Sequence, residues 1–485
     1  MRYINALVSL ALATLTLVHG ESFSPVISCE EISAPKVDNA TVTGISTNDT
    51  ADYCAVTVYL THGNSSDNVK VLTWLPTVWN GRYQGTGGGG LSAGGSDTNL
   101  ILPVQQGYAA STTDAGLPNS INGSVWANNS QLIENFAYLS IHQMTLTGKA
   151  LVEEYYGKQA EYSYWNGCSQ GGRQGYMEAQ RYPSDYDGIF AASPAINYDT
   201  FQVAEVWPYV VQNVIGDWVP TCALDTLTQA AVDFCDADDG ALDGIVADPN
   251  TCKFDATTWI GKQTSCSGNE TILTAQHAAV FNSTTHGPVD LDGNRLFSGI
   301  ALGTNLSTFT SNPPFTFMAA WIADFVLEDP SFDFATLDYT TFPEVFNLSV
   351  AKYETLIGTR NPDMSPFKEA GGKLLTWHGY SDGLIGGNGT VQYRESVQQA
   401  MGGVDEVNDF YRLFMAPGVG HCGRGYGAIP VDPFDALVAW VENGTVPETL
   451  AASGANFTRN LCSYPLSLTY TGDGDIDDAE SWTCT

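Results

Sequence analysis

The chain has 485 residues, 43% hydrophobic and 11% aromatic, enough for one large domain with an insertion or for two domains. Its 53 acidic and 19 basic side chains leave a net charge of -34, which argues against nucleic acid and anionic membranes as partners. Ten cysteines without a single C-x-x-C pair argue against the usual zinc and redox sites and point to a disulfide framework in an exported protein.

In chain order, residues 1–20, "MRYINALVSLALATLTLVHG", read as a signal peptide, too short for a membrane anchor. No later stretch is apolar enough to span a bilayer, so the mature chain is expected to be soluble, secreted and extracellular. Sequons at Asn39, Asn48, Asn64, Asn122, Asn128, Asn269, Asn282, Asn305, Asn347, Asn388, Asn443 and Asn456 fit a glycosylated surface. "YCAVTVYL" (53–60) and "VKVLTWL" (69–75) are rich in β-branched and aromatic residues and read as strands. The glycine run "TGGGGLSAGG" (86–95) lies between strand-like stretches, which favours a tight functional loop over a linker. A phosphate-binding loop is excluded because no G-K-S/T follows. Residues 134–157 have apolar side chains at helical spacing and end at Gly157.

"YWNGCSQGGRQGYMEAQRYP" (164–183) contains Gly167-Cys168-Ser169-Gln170-Gly171, the G-x-S-x-G pattern in which a sharp strand-to-helix turn exposes a serine hydroxyl. From about residue 200 to 365 the character changes, with four cysteines, an acidic loop and aromatic stretches such as "NPPFTFMAAWIADF". Strand and helix signals resume at "GGKLLTWHGYSDGLI". The expected division is a first core part at 21–199, a lid insertion at 200–365 and a second core part at 366–485 of an α/β fold.

A serine nucleophile needs a base, and the base needs an acid to hold its tautomer. His62 falls in a strand turn, His142 in a helix, and His277 and His286 in the insertion. His378 and His421 remain. His421, in "FMAPGVGHCGRG", sits where a strand-like run ends in glycines, and Asp382 sits on a turn after an apolar strand. His378 is the rival base, better suited to supporting the acid loop. Ser169, Asp382 and His421 follow in the chain order of α/β-hydrolases. Cys168 precedes the serine and Cys422 follows the histidine. If Ser169 and His421 meet, their neighbours come within disulfide range, roughly 4.4–6.8 Å between α-carbons.

Together, "WNGRYQGTGGGG", "GYAASTTDAG", "NGCSQGGRQGYMEAQRYPSDYDGIFAASPA", "TWHGYSDGLI" and "APGVGHCGRG" make the chain resemble the fungal tannase and feruloyl esterase family. The resemblance implies an α/β-hydrolase fold with a large lid insertion, Ser169 as nucleophile, Asp382 as acid, His421 as base and Cys168–Cys422 as a supporting disulfide. It also implies a Cys462–Cys484 pair; Cys29 with Cys54 is expected at the other end. The oxyanion of ester cleavage needs preorganised donors. One is expected from the backbone of Gln170, the other from Gly88 or Gly89, which the sequence leaves open.

The stretch "CDADDGALDGIVADPNTC" (235–252) does not fit an EF-hand, because the twelfth position from Asp236 is Ala247 where a glutamate is required. The resemblance implies instead a structural calcium held by Asp236, Asp239, Asp243 and the carbonyls of Ala241 and Ile245. Cys235 and Cys252 close that loop, leaving Cys222 to pair with Cys266. The expected enzyme is a secreted serine esterase releasing hydroxycinnamates from plant cell-wall polysaccharide such as xylan, that is, a feruloyl esterase. The alternatives are a tannase acting on galloyl esters, a serine carboxypeptidase, and an inactive hydrolase scaffold that only binds. The acyl pocket is expected in the insertion, with no specificity residue singled out.

Overall fold

The computed structural model describes residues 22–63, 65–118 and 123–485. The expected signal peptide and the sequons at Asn64 and Asn122 lie outside the described residues.

A nine-stranded mixed sheet organises the fold. Its strands are β1 (Thr41–Asp49), β2 (Tyr53–Thr61), β3 (Val69–Pro76), β4 (Arg82–Thr86), β5 (Ala109–Thr113), β6 (Tyr162–Cys168), β7 (Gly188–Ala192), β8 (Lys373–Gly379) and β9 (Tyr411–Ala416). They lie in the order β1-β2-β3-β5-β4-β6-β7-β8-β9. The first four in this order pair antiparallel and all later neighbours pair parallel.

Burial follows that split. In β2 alternate residues Cys54, Val56, Val58 and Leu60 are buried, as expected of a strand with one face on a core. In β5, β7 and β9 every residue is buried, as parallel strands covered on both faces must be. The sequence reading missed β1, "TVTGISTND". It is a largely exposed edge strand whose polar composition carries no apolar signal.

The expected helix at 134–157 is a short helix at Ser130–Glu134, a π-turn at Asn135–Leu139 and α1 (Ser140–Tyr156), ended by Gly157 at φ 68°. After β6 comes α2 (Gln170–Arg181). Between β7 and β8 the chain leaves the main sheet for helices, α3 (Tyr198–Ala204) and α4 (Thr221–Cys235) among them, and one small hairpin. This segment packs around Trp207, Leu224, Phe281, Trp321 and Phe342, and its core extends onto Leu91, Ala93 and Trp126. It therefore rests on the glycine run itself and on the segment around Trp126, above the C-terminal ends of the parallel strands.

Five disulfides are present: Cys29–Cys54, Cys168–Cys422, Cys222–Cys266, Cys235–Cys252 and Cys462–Cys484, the pairs read from the sequence. Among the described residues no helix is long and apolar enough to cross a membrane. The half-buried Asn388 of one expected sequon has a buried Oδ1, and its Nδ2 donates to Gly299 O at 3.3 Å.

Candidate active site

Ser169 sits between β6 and α2 at φ 62°, ψ -122°, a conformation that costs energy for any residue with a side chain and is held only where the surroundings over-determine it. Three main-chain bonds hold it, from Ser169 N to Ala192 O and from Arg173 N and Ala195 N to Ser169 O, each 3.0 Å. The flanking glycines are required by close approach. A Cβ on Gly167 would lie 2.4 Å from the Gly171 carbonyl carbon, and one on Gly87 would lie 2.4 Å from Gly171 Cα. Any larger residue would push the glycine loop off the turn.

Asp382 follows β8 and is fully buried. Its Oδ1 accepts the N–H groups of Leu384 at 2.8 Å and Ile385 at 2.9 Å. Its Oδ2 faces His421 Nδ1 at 2.8 Å and His378 Nε2 at 3.1 Å. Burial alone would raise its pKa; the hydrogen bonds from both imidazoles outweigh burial and hold the carboxyl well below the usual carboxylate range.

His378 Nε2 also faces the Ile385 carbonyl at 3.1 Å, so two acceptors require the proton on Nε2, leaving Nδ1 to accept from Thr390 Oγ1 at 2.8 Å. This histidine is wholly buried and braces the acid loop. His421 instead lines the same pocket as Ser169, which separates the two histidines.

The Cys168–Cys422 disulfide, with α-carbons 6.1 Å apart, joins residues 254 positions apart and ties the His421 loop to the Ser169 turn. Cys422 N also donates to Ser193 Oγ, just after β7, at 3.3 Å. Among the described residues the Ser169 hydroxyl has no hydrogen-bond partner. In ligand-free enzymes the nucleophile–base bond is often long and tightens around substrate.

The two oxyanion candidates differ in their hydrogen bonding. The Gly88 N–H donates to Gln174 Oε1 at 3.0 Å, and the Gly88 carbonyl accepts from Gly171 N at 2.9 Å. Gly89 lines the pocket beside Gln170, and a Cβ there would meet nothing within 4 Å. Gln170 opens α2, so its N–H belongs to the first turn that a helix leaves without an internal acceptor. Arg173, fully buried, donates to Gln170 Oε1 at 2.9 Å and to the carbonyls of Phe136 and Ala137, fixing that first turn. Burial lowers its guanidinium to about 9.

The pocket over Ser169 has a volume of about 290 Å³. The segment between β7 and β8 supplies Tyr198, Phe201 and Gln202 from α3, together with Phe315, Phe317 and Met318. Phe317 closes over Gly90. None of these was named from the sequence, although "NPPFTFMAAW" stood out as aromatic; core and pocket aromatics carry the same signal until the fold places them.

Apart from this pocket, α4 runs into the acidic loop. Asp236 Oδ1 accepts from the backbones of Asp243, Gly244 and Ile245 at 2.8–3.2 Å, and Asp239 Oδ1 from Ala241 at 3.0 Å. Asp243 Oδ2 pairs with Arg459 at 2.7 Å. Burial, with the charges of Asp243 and Asp236, pushes Asp239 up to about 6. The donor set is oxygen only and carries more negative charge than Arg459 neutralises, which suits a hard cation. Ligand oxygens of the three carboxylates do not all lie within 4.8 Å of one another.

The sequence model of the family described as "Tannase and feruloyl esterase" matches residues 54–485. The chain belongs to this family. It is 40% identical to a probable feruloyl esterase of Arthroderma benhamiae over 90% of this chain and 86% of the relative. It is 31% identical to feruloyl esterase B of Aspergillus niger over 96% and 92%. Among solved structures, feruloyl esterase B from Aspergillus oryzae superposes with a TM-score of 0.83 at 27% identity, covering 94% of this chain and 99% of that one. A tannin acyl hydrolase from Aspergillus niger gives 0.81 at 27%, covering 96% and 93%. The fold is thus that of the α/β-hydrolases, and the protein is a carboxylic ester hydrolase.

Proposed function

We propose that this esterase cleaves esters of hydroxycinnamic acids through an acyl-enzyme on Ser169. His421 Nε2 takes the serine proton as Oγ attacks the ester carbonyl. Asp382, ionised and held by four donors, keeps the proton on His421 Nδ1 and stabilises the imidazolium. The oxyanion forms against the N–H groups of Gln170 and Gly89. His421 returns the proton to the leaving alkoxide, then activates water to release the acid.

The observation that carries the acyl preference is the pocket wall. Tyr198, Phe201, Phe315 and Phe317 offer flat apolar surface and few polar atoms. A galloyl ring buries three hydroxyls, each of which needs a hydrogen-bond partner to avoid a desolvation cost. A feruloyl ring carries one hydroxyl and a methoxy group and matches this wall better. The relatives named as feruloyl esterases support the same reading.

We propose further that calcium occupies the acidic loop through Asp236, Asp239, Asp243 and the carbonyls of Ala241 and Ile245. The same reading takes the enzyme to be exported, glycosylated and active on plant cell-wall polysaccharide. The disulfides and the absence of a membrane-crossing helix among the described residues agree with export. Initial rates on methyl ferulate, methyl caffeate, methyl sinapate and methyl gallate test the acyl preference. Hydroxycinnamates cleaved with gallate untouched is the expected result; preference for gallate makes the enzyme a tannase, and peptide cleavage in place of ester cleavage would overturn the reading.

A further inference from the structure

The elbow helix carries a second cluster at its far end. Glu178 of α2 lies nine residues beyond Ser169, about 13 Å along the axis. With His142 of α1 and Asp185 of the loop entering β7 it forms a trio whose donor atoms all lie within 4.8 Å of one another, the only such group of histidine, cysteine and carboxylate side chains among the described residues.

An independent observation singles out Glu178. Its side chain is fully buried, yet neither carboxyl oxygen has a hydrogen-bond partner. Buried polar atoms in folded proteins are nearly always paired, and a carboxyl group facing another carboxylate needs a proton or a cation between them. The Lys149 ammonium donates to the backbone carbonyl of Asp185 and lies close enough to act on Glu178 by charge, but it makes no hydrogen bond to it. His142 Nδ1 lies 2.6 Å from Asp185 Oδ2, and Tyr182 stacks on the imidazole at 3.8 Å and 4°, fixing the ring plane. Burial and the facing Asp185 carboxylate push the Glu178 carboxyl well up, so without an ion a proton on Glu178 donates to Asp185, and an entering cation displaces that proton.

We propose that His142, Glu178 and Asp185 bind a divalent transition metal ion of the zinc type. One imidazole nitrogen and two carboxylates form a donor set that zinc accepts, whereas calcium and magnesium favour oxygen alone. Three protein ligands leave a fourth position for water. Zinc–ligand distances near 2.0–2.2 Å place tetrahedral donors about 3.3 Å apart, so the His142–Asp185 contact opens slightly as the ion displaces the proton. The side chains of His142 and Asp185 are 23% and 13% exposed, which leaves an entry path. A bound ion would clamp α1, the C-terminal half of α2 and the entry to β7. It would act on the rigidity of the scaffold behind Ser169 and not on the reacting atoms. This site is independent of the acyl preference proposed above.

The test uses the full mature enzyme, stripped with chelator and resaturated with calcium so that the acidic loop is filled, then titrated with ZnCl2. The expected result is a saturable rise in Tm, about 3 °C at a hundredfold excess over Kd, with one ion bound per chain by calorimetry. Glu178→Gln and His142→Gln should lose that rise, circular dichroism and the retained calcium response showing that they are folded. Co2+ added to the wild-type enzyme gives a readout independent of any variant, namely the visible absorption of cobalt in a nitrogen and oxygen ligand field. No saturable zinc effect, an equal effect in both variants, or a cobalt spectrum identical to that of the free ion would overturn the proposal.

Discussion

The two regions that meet at Ser169 are built on different terms. The catalytic groups stand on loops that follow β4, β6, β8 and β9, held mainly by main-chain contacts: glycine against glycine at Gly87, Gly167 and Gly171, and two backbone N–H groups beside two imidazoles on one buried carboxylate. The wall facing the acyl group comes from the helical insertion and consists of exchangeable side chains such as Phe201 and Phe317, held by packing. Chemistry is therefore fixed by backbone, and selectivity by residues that can change without disturbing it.

The sharpest way to break this contrast is to damage the backbone-held half. Asp382→Asn should lower kcat by about 10^4-fold on every ester, because the neutral amide no longer fixes the His421 tautomer. The same variant tests the pH dependence. A carboxyl depressed in the folded state stabilises the protein fully above the unfolded value near 4 and loses that contribution as pH falls below it. Wild-type stability should thus fall between about pH 4 and pH 2 more steeply than that of Asp382→Asn, in urea titrations at each pH. Unequal losses on large and small acyl groups would break the separation between the two regions.

Removing the Cys168–Cys422 tie comes next. Replacing both cysteines by serine should cost about 5–6 kcal/mol in the chain-entropy account, given the length of the closed loop. Denaturant unfolding reads that loss, and activity should fall with it because the His421 loop is no longer fixed to the Ser169 turn.

On the side-chain-held half, Phe317→Ala should lower kcat/KM for methyl ferulate by roughly 10- to 100-fold, the worth of one buried aromatic contact, and leave an acetyl ester within a few-fold. Equal losses on both would move Phe317 from selectivity to scaffold. The smallest effect on rate is expected from calcium removal. Chelation should lower Tm by several degrees while initial rates at 25 °C change less than twofold, since the acidic loop is separate from the pocket; a rate collapse with the fold intact would contradict this.

Much of the backbone-held half was legible in the sequence, because its constraints leave residue-type signatures. Glycines bracket Ser169 and cysteines adjoin both Ser169 and His421, so one geometry accounts for two oddities. That the Gly88 N–H is taken up by the amide oxygen of Gln174 was not legible, because it depends on how the fold places Gln174. The support given by His378 was anticipated, but its tautomer follows only from the two acceptors the fold brings to Nε2. β1 escaped because an exposed edge needs little apolar alternation. The pocket wall escaped for the opposite reason: the insertion is aromatic throughout, so composition could not distinguish Phe317 in the pocket from Phe342 in its core.

The account rests on an acyl-enzyme at Ser169, and mass spectrometry of the enzyme quenched in acid during turnover of methyl ferulate tests that most directly. The expected result is a feruloyl adduct on the peptide containing Ser169, absent from Ser169→Ala. Undiminished hydrolysis by Ser169→Ala, or an adduct on another residue, would contradict it.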